Sequence, residues 1–399
     1  MTTGAEASAP QLQEITAEAL RDLNARMVDR AKANGAIRSA EVEAAFRDTP
    51  RHLFLPKVDV EQVYSGSAIV TRSDEKGQAI SSSSEVGIMA PMLEDLDVRS
   101  GHRVLEVGTG TGYNAALLDH LVGGDGEVVT IELDPEIAAR AREHLASAGH
   151  DRVRVEVGDG YGGYPARAPY DRIIATASVR DLPRAWRDQL VEDGRLTVPL
   201  RLRANAQMVV TFRRRGETLQ SVSVVPGGFM PLRGEPAWNE STIELEGDWE
   251  ASLPAADEGD GAILAALLHE APTIEPLREI PWQAASMMGL LEPDWIDLRQ
   301  RQRQIAWSGV YDRPSRSLAL MWSVPVPMRM MTWVLLVYGP PAARDRLLRL
   351  VDDAAGIAVN ELRLEAVPVD RSPPSGDVVV AGENFRYAIS RARGATLAT

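Results

Sequence analysis

The chain has 399 residues, of which 44% are hydrophobic and 25% are charged, and its net charge is −14 at pH 7. This length favours two domains, and the composition excludes disordered, collagen-like and small disulfide-bonded proteins. The acidic charge argues against nucleic acid as a partner, because phosphate backbones require a basic face. The absence of cysteine excludes disulfides, thiolate catalysis and cysteine-bound metals.

The N-terminal part of the sequence shows no targeting pattern. Residues 1–17 are rich in small residues and are expected to form a flexible leader. They lack the basic region and the apolar core of a signal peptide, and no run of about 18 apolar residues follows anywhere in the sequence. These features predict a cytoplasmic protein that has no membrane partner.

Two helical stretches and a loop-rich segment come next. Apolar residues between Leu20 and Ile37 recur at helical spacing, and a second helical run over 42–46 stops before Pro50. Residues 51–84 contain prolines, glycines and a run of serines. Such a composition predicts loops.

Strands and helices then alternate as far as residue 199. Helices are expected at 85–96, 113–121, 135–148 and 183–190, and strands at 103–107, 127–131, 153–157, 170–175 and 195–199. Apolar strands separated by helices are typical of a parallel sheet covered on both faces. We therefore expect an α/β domain over residues 18–238, with a doubly wound, mostly parallel sheet.

The composition changes after this domain. Residues 239–261 are acidic and contain no lysine or arginine, which predicts a linker. Residues 262–399 combine tryptophans with strand-like runs and a helix near 342–354, so we expect a smaller α+β accessory domain there. Its tryptophans form either the core of that domain or a peptide groove.

The densest chemical signal is the motif E-V-G-T-G-T-G over residues 106–112, where a predicted strand ends. Glycine allows a backbone to approach a ligand closely because it has no Cβ atom. The alternating glycines differ from the dinucleotide motif and favour a ligand with an amino-acid end. The candidate cofactor-binding residues here are Glu106, Gly108, Thr109, Gly110 and Gly112, and a purely structural tight turn is the alternative.

Acidic residues also end the next two predicted strands. Glu132, followed by Leu133, stands where a carboxylate can accept hydrogen bonds from both ribose hydroxyls. Asp159 and Gly160 follow the third strand, where a carboxylate can accept from an adenine amino group. Ligands of open α/β sheets bind at the carboxyl ends of the strands. The three turns together predict a nucleoside-containing cofactor, although a helix cap and a turn residue are the alternatives for the two acids.

Several segments resemble the protein L-isoaspartate (D-aspartate) O-methyltransferase family, in the family's order. They are P-R-H-L-F-L-P at 50–56, G-Q-A-I-S at 77–81, the glycine motif, G-D-G at 158–160, P-Y-D at 169–171 with 173–177, G-R-L-T-V-P at 194–199 and G-G-F-M-P-L at 227–232. The resemblance covers roughly residues 18–235. It implies a Rossmann-like class I methyltransferase that binds S-adenosyl-L-methionine.

The resemblance also implies roles for single residues. Ser81 matches the serine where methyl donor and substrate carboxylate meet, so we expect it to orient the carboxylate as the catalytic residue; an ordinary loop or helix-capping serine is the alternative. Thr176 and Gln207 match polar positions near the cofactor and its covering loop. The implied substrate-binding residues are Gln78, Ala79, Ile80, Ser82 and Ser83.

Two departures from the family pattern shape the predicted function. Serines follow Ser81 where the family usually has a proline, and the chain continues well beyond the family's closing strand. This long form resembles the lanthipeptide-associated methyltransferases of the FxLD system. That resemblance implies esterification of an aspartate in a ribosomally made, modified peptide, after which the ester cyclises to a succinimide (aspartimide). The alternatives are general isoaspartate repair and a catalytically idle peptide-binding module.

The expected partner is therefore a peptide or protein that carries aspartate or isoaspartate. No metal is expected, because the six histidines show no metal-ligand spacing. The sequence leaves open the exact peptide, the target residue, the final product and the oligomeric state.

Overall fold

A computed structural model describes residues 16–75, 77, 79–203, 206–234, 241–253, 256–280, 282–300, 305–324 and 332–391. The predicted leader lies outside the described residues as far as residue 15. Thr16 already belongs to the fold, because its side chain caps the first helix by accepting a hydrogen bond from the Ala19 amide at 3.2 Å.

Three helices and a hairpin form the N-terminal region. They are α1 (Ala17–Ala33), α2 (Ala40–Asp48), α3 (Val60–Tyr64), β1 (Ile69–Ser73) and β2 (Ala79–Ser83). The prediction of loops over 51–84 is therefore wrong for α3 and for the hairpin. The fully buried Arg51 holds this segment together by donating to the carbonyls of Val63 at 3.1 Å and Ser84 at 3.0 Å, since a buried guanidinium requires such acceptors.

The main sheet has a parallel half and an antiparallel half. Its first strands and the helices between them are α4 (Val86–Leu96), β3 (Arg103–Val107), α5 (Tyr113–Val122), β4 (Glu127–Glu132), α6 (Pro135–Ser147), β5 (Arg154–Val157), β6 (Tyr170–Ala175), α7 (Arg184–Asp188), β7 (Leu190–Arg203), β8 (Ala206–Arg215) and β9 (Thr218–Pro226). Strands β5-β4-β3-β6-β7 are parallel, whereas β8 and β9 continue the sheet antiparallel. The predicted doubly wound α/β fold is confirmed, with a mixed sheet.

Alternate residues of the central strands supply the two cores of this unit. Val104 joins one hydrophobic cluster with residues of α4, α5 and α6, and Leu105 joins the other with Trp186 of α7. Successive side chains of a strand point to opposite faces. Both faces of the parallel half are therefore buried, and ligand access is left to the strand ends.

A second, antiparallel sheet follows in the chain. Its elements are β10 (Ser241–Leu245), β11 (Trp249–Leu253), α8 (Asp260–His269), β12 (Thr273–Leu277), α9 (Trp282–Leu291), β13 (Trp295–Gln300), β14 (Ile305–Asp312), β15 (Ser317–Val324), β16 (Thr332–Tyr338) and α10 (Ala342–Ala355). The strand order among the described residues is β10-β11-β13-β14-β15-β16-β12. Within the described ranges, no helix is long and apolar enough to cross a membrane.

The predicted linker over 239–261 differs from the structure. Strands β10 and β11 pair antiparallel inside it, with Glu244 opposite Glu250. Apolar Ile243, Leu245 and Trp249 pack against the core of the second sheet. Alternation of acidic and apolar residues is the pattern of a half-buried strand, and the acidic composition concealed it.

The last described strands leave the second sheet and complete the first. They are β17 (Leu362–Pro368), β18 (Val378–Ala381) and β19 (Phe385–Arg391). Strand β17 pairs with β9 through Glu365 opposite Gln220, and β19 pairs with β17. Residues 262–399 therefore do not form one separate unit as the sequence predicted, because their final strands cover the open edge of the main sheet.

Tryptophans line one face of the second sheet. The rings of Trp249 and Trp307 lie 4.7 Å apart, and those of Trp307 and Trp322 lie 6.4 Å apart. Trp249 and Trp307 pack on the core beneath α8, whereas Trp322 is 39% exposed. The predicted core role thus holds for Trp307, whereas Trp249 comes from the segment predicted as a linker and Trp322 lies at the edge of the cluster.

Candidate functional site

The carboxyl ends of β3, β4 and β6 border a cleft of about 960 Å³. Residues 227–234, called the covering segment below, run along its far side and contribute Phe229 through Arg233 to its wall. The predicted site residues that line the cleft are Ile80, Ser81, Ser82, Ser83, Glu106, Gly108, Thr109, Gly110, Glu132, Leu133, Gly160 and Thr176. Segments that are remote in sequence therefore meet at one edge of the sheet.

The glycine turn after β3 packs too closely on its neighbours to carry side chains at two of its positions. Gly108 has a φ of 97°, and a Cβ atom there would lie 2.5 Å from the hydroxyl oxygen of Thr176. That hydroxyl donates to the Gly108 carbonyl at 2.7 Å, which fixes the turn. Gly112 does not line the cleft. A Cβ on it would meet Leu145 at 3.2 Å, so this glycine allows the turn to pack on α6.

Glu132 lies in the wall of the cleft with its carboxylate directed at backbone amides. It accepts hydrogen bonds from Gly110 N at 3.1 Å and from Asp134 N at 3.1 Å. The guanidinium of Arg233 approaches it to 3.8 Å from the covering segment. One carboxylate therefore organises the glycine turn and faces the covering segment.

Glu106 is fully buried beneath the glycine turn. Asn114 donates to one of its oxygens at 2.7 Å and Thr130 to the other at 2.6 Å. Burial raises the pKa of Glu106 to about 7, although these two hydrogen bonds oppose the shift. A carboxyl group that titrates near neutrality can accept a hydrogen bond from a ligand's ammonium group when it is ionised.

The turn after β5 meets the covering segment. Asp159 accepts a hydrogen bond from Tyr161 N at 2.9 Å, and a Cβ on Gly234 would lie 2.6 Å from the Asp159 carboxylate. Asp159 does not line the cleft, unlike Gly160, whose carbonyl accepts from the Trp186 indole at 2.8 Å. The structure thus places Asp159 beneath Gly234 at the rim of the cleft.

The covering segment is fixed by contacts with two strand ends. The Gln207 side chain accepts a hydrogen bond from Phe229 N at 2.8 Å, and Ser178 exchanges backbone hydrogen bonds with Met230 and Leu232 at 2.8 Å each. Gln207 does not line the cleft. The structure places it beside the covering segment, where it anchors that segment.

Ser81 lies between the cleft and a second cavity. It is 6% exposed, and its hydroxyl accepts a hydrogen bond from Thr71 at 3.0 Å. A Cβ on Gly110 would lie 4.0 Å from this hydroxyl, so the glycine turn closely approaches the serine. Ser81 also lines a cavity of about 700 Å³, called the side pocket below, whose walls are residues 54–58, residues 70–72 and α6.

The neighbours of Ser81 divide into lining and structural residues. Ser82 lines the cleft. Ser83 lines it as well and accepts a hydrogen bond from the buried Arg51 at 3.2 Å. Ala79 is exposed at the start of β2 and lines neither cavity. Gln78 lies outside the described residues.

Sequence reasoning did not select several residues that line the cleft. Asn114 holds Glu106 from the first turn of α5, and Met89 and Met92 reach the cleft from α4. Asn114 directly follows the glycine motif, which is a signal that sequence reasoning could have used. The two methionines have the spacing of an ordinary buried helix face, which carried no such signal.

The arrangement agrees with comparisons to known proteins. Residues 22–236 match the family model described as protein-L-isoaspartate(D-aspartate) O-methyltransferase. The protein-L-isoaspartate O-methyltransferase of Methanopyrus kandleri is 39% identical over 216 residues, which are 54% of this chain and 93% of that protein. The enzyme of the same name from Methanoculleus marisnigri is 43% identical over 200 residues, which are 49% of this chain and 85% of that protein.

A solved structure resembles a larger part of the chain. It is named protein-L-isoaspartate O-methyltransferase, and the likeness has a TM-score of 0.51 with 23% sequence identity. It covers 92% of this chain and 99% of the solved chain. At this identity the likeness concerns the fold alone.

The described residues fit S-adenosyl-L-methionine. Gly110 lines the cleft with open space at its side-chain position, since among the described residues only the Ser82 carbonyl at 3.5 Å and the Ser81 hydroxyl at 4.0 Å lie within 4 Å of a Cβ there. The Glu132 carboxylate stands in the cleft wall beside the glycine turn. Since the family model spans more than half of the 399 residues, the chain belongs to the protein-L-isoaspartate (D-aspartate) O-methyltransferase family and is an S-adenosyl-L-methionine-dependent carboxyl methyltransferase.

Proposed function

We propose that the chain methylates the free carboxyl group of isoaspartyl residues in proteins or peptides. The observation that carries this proposal is the position of Ser81, which lines both the cleft and the side pocket. In this proposal the cofactor occupies the cleft and the substrate enters from the side pocket, so Ser81 would contact both. The names of the aligned relatives supply the target residue.

Different residues of the cleft would bind different parts of the cofactor. Glu132 would accept hydrogen bonds from ribose hydroxyls, and the glycine turn would let the backbone approach the methionine end. Thr109, Leu133, Gly160 and Thr176 complete this wall, and Asp159 stands at its rim. When bound, S-adenosyl-L-methionine supplies a sulfonium methyl group, which a carboxylate oxygen takes without an added acid or base.

Ser81 would orient the substrate carboxylate. A carboxylic acid is ionised at pH 7, so the reaction requires alignment and exclusion of water more than proton transfer. Thr71 donates to the Ser81 oxygen at 3.0 Å, which leaves the Ser81 proton for an acceptor in either cavity. Ile80, Ser82 and Ser83 would shape the substrate side of this boundary, together with Ala79 and Gln78 next to them in the sequence.

The covering segment would keep water away from the reacting groups. Phe229, Pro231 and Leu232 place apolar surface on the cleft wall, and Gln207 fixes the backbone behind them. Exclusion of water strengthens the contacts within a site. The covering segment would therefore assist methyl transfer by excluding water, without taking part in proton transfer.

A second candidate is esterification of an aspartate in a lanthipeptide-type peptide, with later closure to a succinimide. It is favoured by residues 237–399, which lie outside the family match, and by the serines that follow Ser81. The isoaspartyl activity stands first, because the family model matched by residues 22–236 and the relatives aligned over at least 85% of their own length are named for that target residue.

The experiment compares three peptides with the full-length protein. A linear isoaspartyl peptide, its aspartyl isomer and a macrocyclic aspartyl peptide are incubated with S-adenosyl-L-methionine and analysed by mass spectrometry. We expect the isoaspartyl peptide to gain the mass of one CH₂ group and the linear aspartyl isomer to stay unchanged. Modification of the macrocycle alone would favour the second candidate, and no modification of any peptide would favour an idle binding module.

Ser81→Ala tests the residue that carries the proposal, with Ser82→Ala as the matched control on the same strand. We expect Ser81→Ala to slow single-turnover methylation strongly while binding of S-adenosyl-L-homocysteine stays the same. Ser82→Ala should be affected less. An unchanged rate in Ser81→Ala would remove this serine from the reaction.

A further inference from the structure

The side pocket is cationic in an otherwise acidic protein. Lys57, Arg72 and Arg140 line it, together with the imidazole of His144. Among the described residues that line it, none is acidic, although the chain as a whole has a net charge of −14. The charge of this cavity is therefore opposite to that of the protein around it.

The nitrogen groups come from three separate elements. Lys57 lies between the 3₁₀ helix Arg51–Phe54 and α3, Arg72 lies on β1, and Arg140 lies on α6. Ile137, Arg140 and His144 share one face of α6, because residues three and four positions apart are neighbours on a helix. His144 donates to the Thr111 carbonyl at 3.0 Å, which fixes this face against the glycine turn.

Ion pairs of different exposure hold the two arginines. Arg72 lies 3.0 Å from Asp134 and 3.1 Å from Glu136, and the Arg72 and Asp134 side chains are only 30% and 17% exposed. Arg140 lies 3.6 Å from Glu136, and these two side chains are 52% and 69% exposed, so their pair contributes little stability. A carboxylate that enters the pocket can therefore compete for the Arg140 guanidinium.

The target carboxylate requires only one part of this pocket. Ser81 and Gly110 lie where the side pocket meets the cleft, whereas Lys57 and Arg140 are exposed at its outer part. We propose that the side pocket selects substrates in which an acidic residue stands next to the residue that is methylated. This inference rests on the proposed function and adds the charge of the neighbouring substrate residue.

The test uses isoaspartyl peptides that differ at one position, with Glu, Gln or Lys directly beside the target residue. With the wild-type protein we expect kcat/KM to fall in that order, by about two- to fivefold per step at low ionic strength, and the differences to shrink as salt is added. Equal values for the three peptides would overturn the inference. Absence of methylation in all three would instead contradict the proposed function.

A charge reversal then assigns the preference to the pocket. Arg140→Glu should flatten the order, so that the Glu peptide loses its advantage, because one of the three cationic side chains is replaced by an acidic one. The matched control is Arg154→Glu, because Arg154 is 45% exposed and pairs with Glu156 on its own strand but does not line the pocket. The same flattening in Arg154→Glu, or an unchanged order in Arg140→Glu, would overturn the inference, because the preference would then not come from this pocket.

A separate set of contacts carries a second inference, about residues 378–391, called the C-terminal hairpin below. Tyr387 is fully buried and donates to Asp181 at 2.6 Å while it accepts from Leu182 N at 2.7 Å. The backbone N–H of Asn384 also donates to the Asp181 carboxylate. The hairpin is thereby fixed to the loop that follows β6.

The same hairpin reaches the rim of the cofactor cleft. The Asn384 side chain donates to the Tyr161 hydroxyl at 3.0 Å, and Tyr161 N donates to the Asp159 carboxylate at 2.9 Å. We infer that Asn384 is a positioning residue, which holds the turn at 159–162 in the form that faces the cofactor. The C-terminal hairpin is then a working part of the methyltransferase unit.

The test is a double-mutant cycle on binding of S-adenosyl-L-homocysteine, measured by calorimetry. Asn384→Ala and Tyr161→Phe should each weaken binding by about two- to tenfold, and the double variant should be no weaker than the worse single variant. Arg386→Ala is the control, since Arg386 lies on the same strand and donates to the Arg371 carbonyl within the same region. Unchanged affinity in Asn384→Ala with a lowered melting temperature, or fully additive effects in the double variant, would overturn this inference.

Discussion

The parallel half of the main sheet and the second sheet use buried acidic groups in opposite ways. In the first region, Glu106 and Glu132 lie at strand ends and line a cleft. In the second region, Asp260 is 2% exposed and accepts hydrogen bonds from Tyr311 at 3.1 Å and Arg313 at 3.1 Å. Glu132 of the first region faces the covering segment across the cleft, whereas Asp260 of the second region is hydrogen-bonded and ion-paired inside its own fold.

Topology explains the difference. Parallel strands all end at the same edge, so the turns after β3, β4 and β5 meet there and leave a crevice. Neighbouring antiparallel strands run in opposite directions, so the start of β13 and the end of β14 lie side by side, and the acids there are bridged within the fold. Arg346 of α10 contacts Asp312 at 2.9 Å and Asp294 at 2.9 Å, which pins α10 to the second sheet.

The largest expected effect separates glycines that serve the ligand from those that serve the backbone. Gly110→Val should abolish binding of S-adenosyl-L-homocysteine, because the side chain would extend into the cleft that Gly110 lines, where among the described residues only the Ser82 carbonyl at 3.5 Å and the Ser81 hydroxyl at 4.0 Å lie within 4 Å of the Cβ position. Gly259→Val in the second region is the matched control, since Gly259 also has a positive φ, 107°, but no atom of the described residues lies within 4 Å of its Cβ position. Calorimetry should show normal binding in the control, and binding by Gly110→Val would break the comparison.

Removal of the buried acid in the second region should lower stability without touching the ligand site. Asp260→Ala removes the buried partner of Arg313, which still lies 3.2 Å from Asp294 and 3.5 Å from Asp257, so the free energy of unfolding should fall by about 1–3 kcal/mol. Affinity for S-adenosyl-L-homocysteine in the folded protein should be unchanged. Urea unfolding and calorimetry measure the two quantities, and a loss of affinity would mean that the two regions are coupled at this point.

Removal of Glu132 in the first region should lower cofactor affinity more than stability. Glu132→Ala should weaken cofactor binding by about 1.5–3 kcal/mol through loss of charge-assisted hydrogen bonds. Its melting temperature should change less than that of Asp260→Ala. If Glu132→Ala lowered stability while the affinity stayed intact, the carboxylate would serve only the backbone amides of Gly110 and Asp134.

The pH dependence of stability should have opposite signs in the two regions. Burial raises the pKa of Glu106 to about 7, so its contribution is complete below its ordinary pKa and is lost as the pH rises towards 7. Burial also acts to raise the pKa of Asp260, but hydrogen bonds from Asp257 N, Arg313 and Tyr311 outweigh it and lower the pKa. The Asp260 contribution is therefore present above its ordinary pKa and is lost as the pH falls.

Glu106→Gln and Asp260→Asn isolate these contributions in melting temperatures measured from acid to neutral pH. Glu106→Gln should remove a decline in stability between about pH 4.5 and pH 7, whose slope is at most about 1.4 kcal/mol per pH unit. Asp260→Asn should be destabilising at neutral pH and should approach the wild-type protein in acid. Curves parallel to that of the wild-type protein for both variants would contradict the opposite signs.

Local sequence patterns determined the parallel half of the main sheet. The alternation of apolar strands with helices predicted the positions of β3, β4 and β6, and the glycines from Gly108 predicted the turn at the carboxyl edge. These signals are readable because the hydrophobic period and the steric freedom of glycine act over a few neighbouring residues. The position of Glu132 after β4 followed from the same local reasoning.

Only the tertiary structure decided which remote segments complete the site. The pairing of β17 with β9, the contact of Gly234 with Asp159 and the place of Ser81 between two cavities each join residues that are far apart in the chain. The strands β10 and β11 remained concealed because acidic composition outweighed a short alternation in the sequence pattern. An edge strand accepts any partner with free backbone groups, so the packing of the whole chain, and no local pattern, decides which sheet β17 joins.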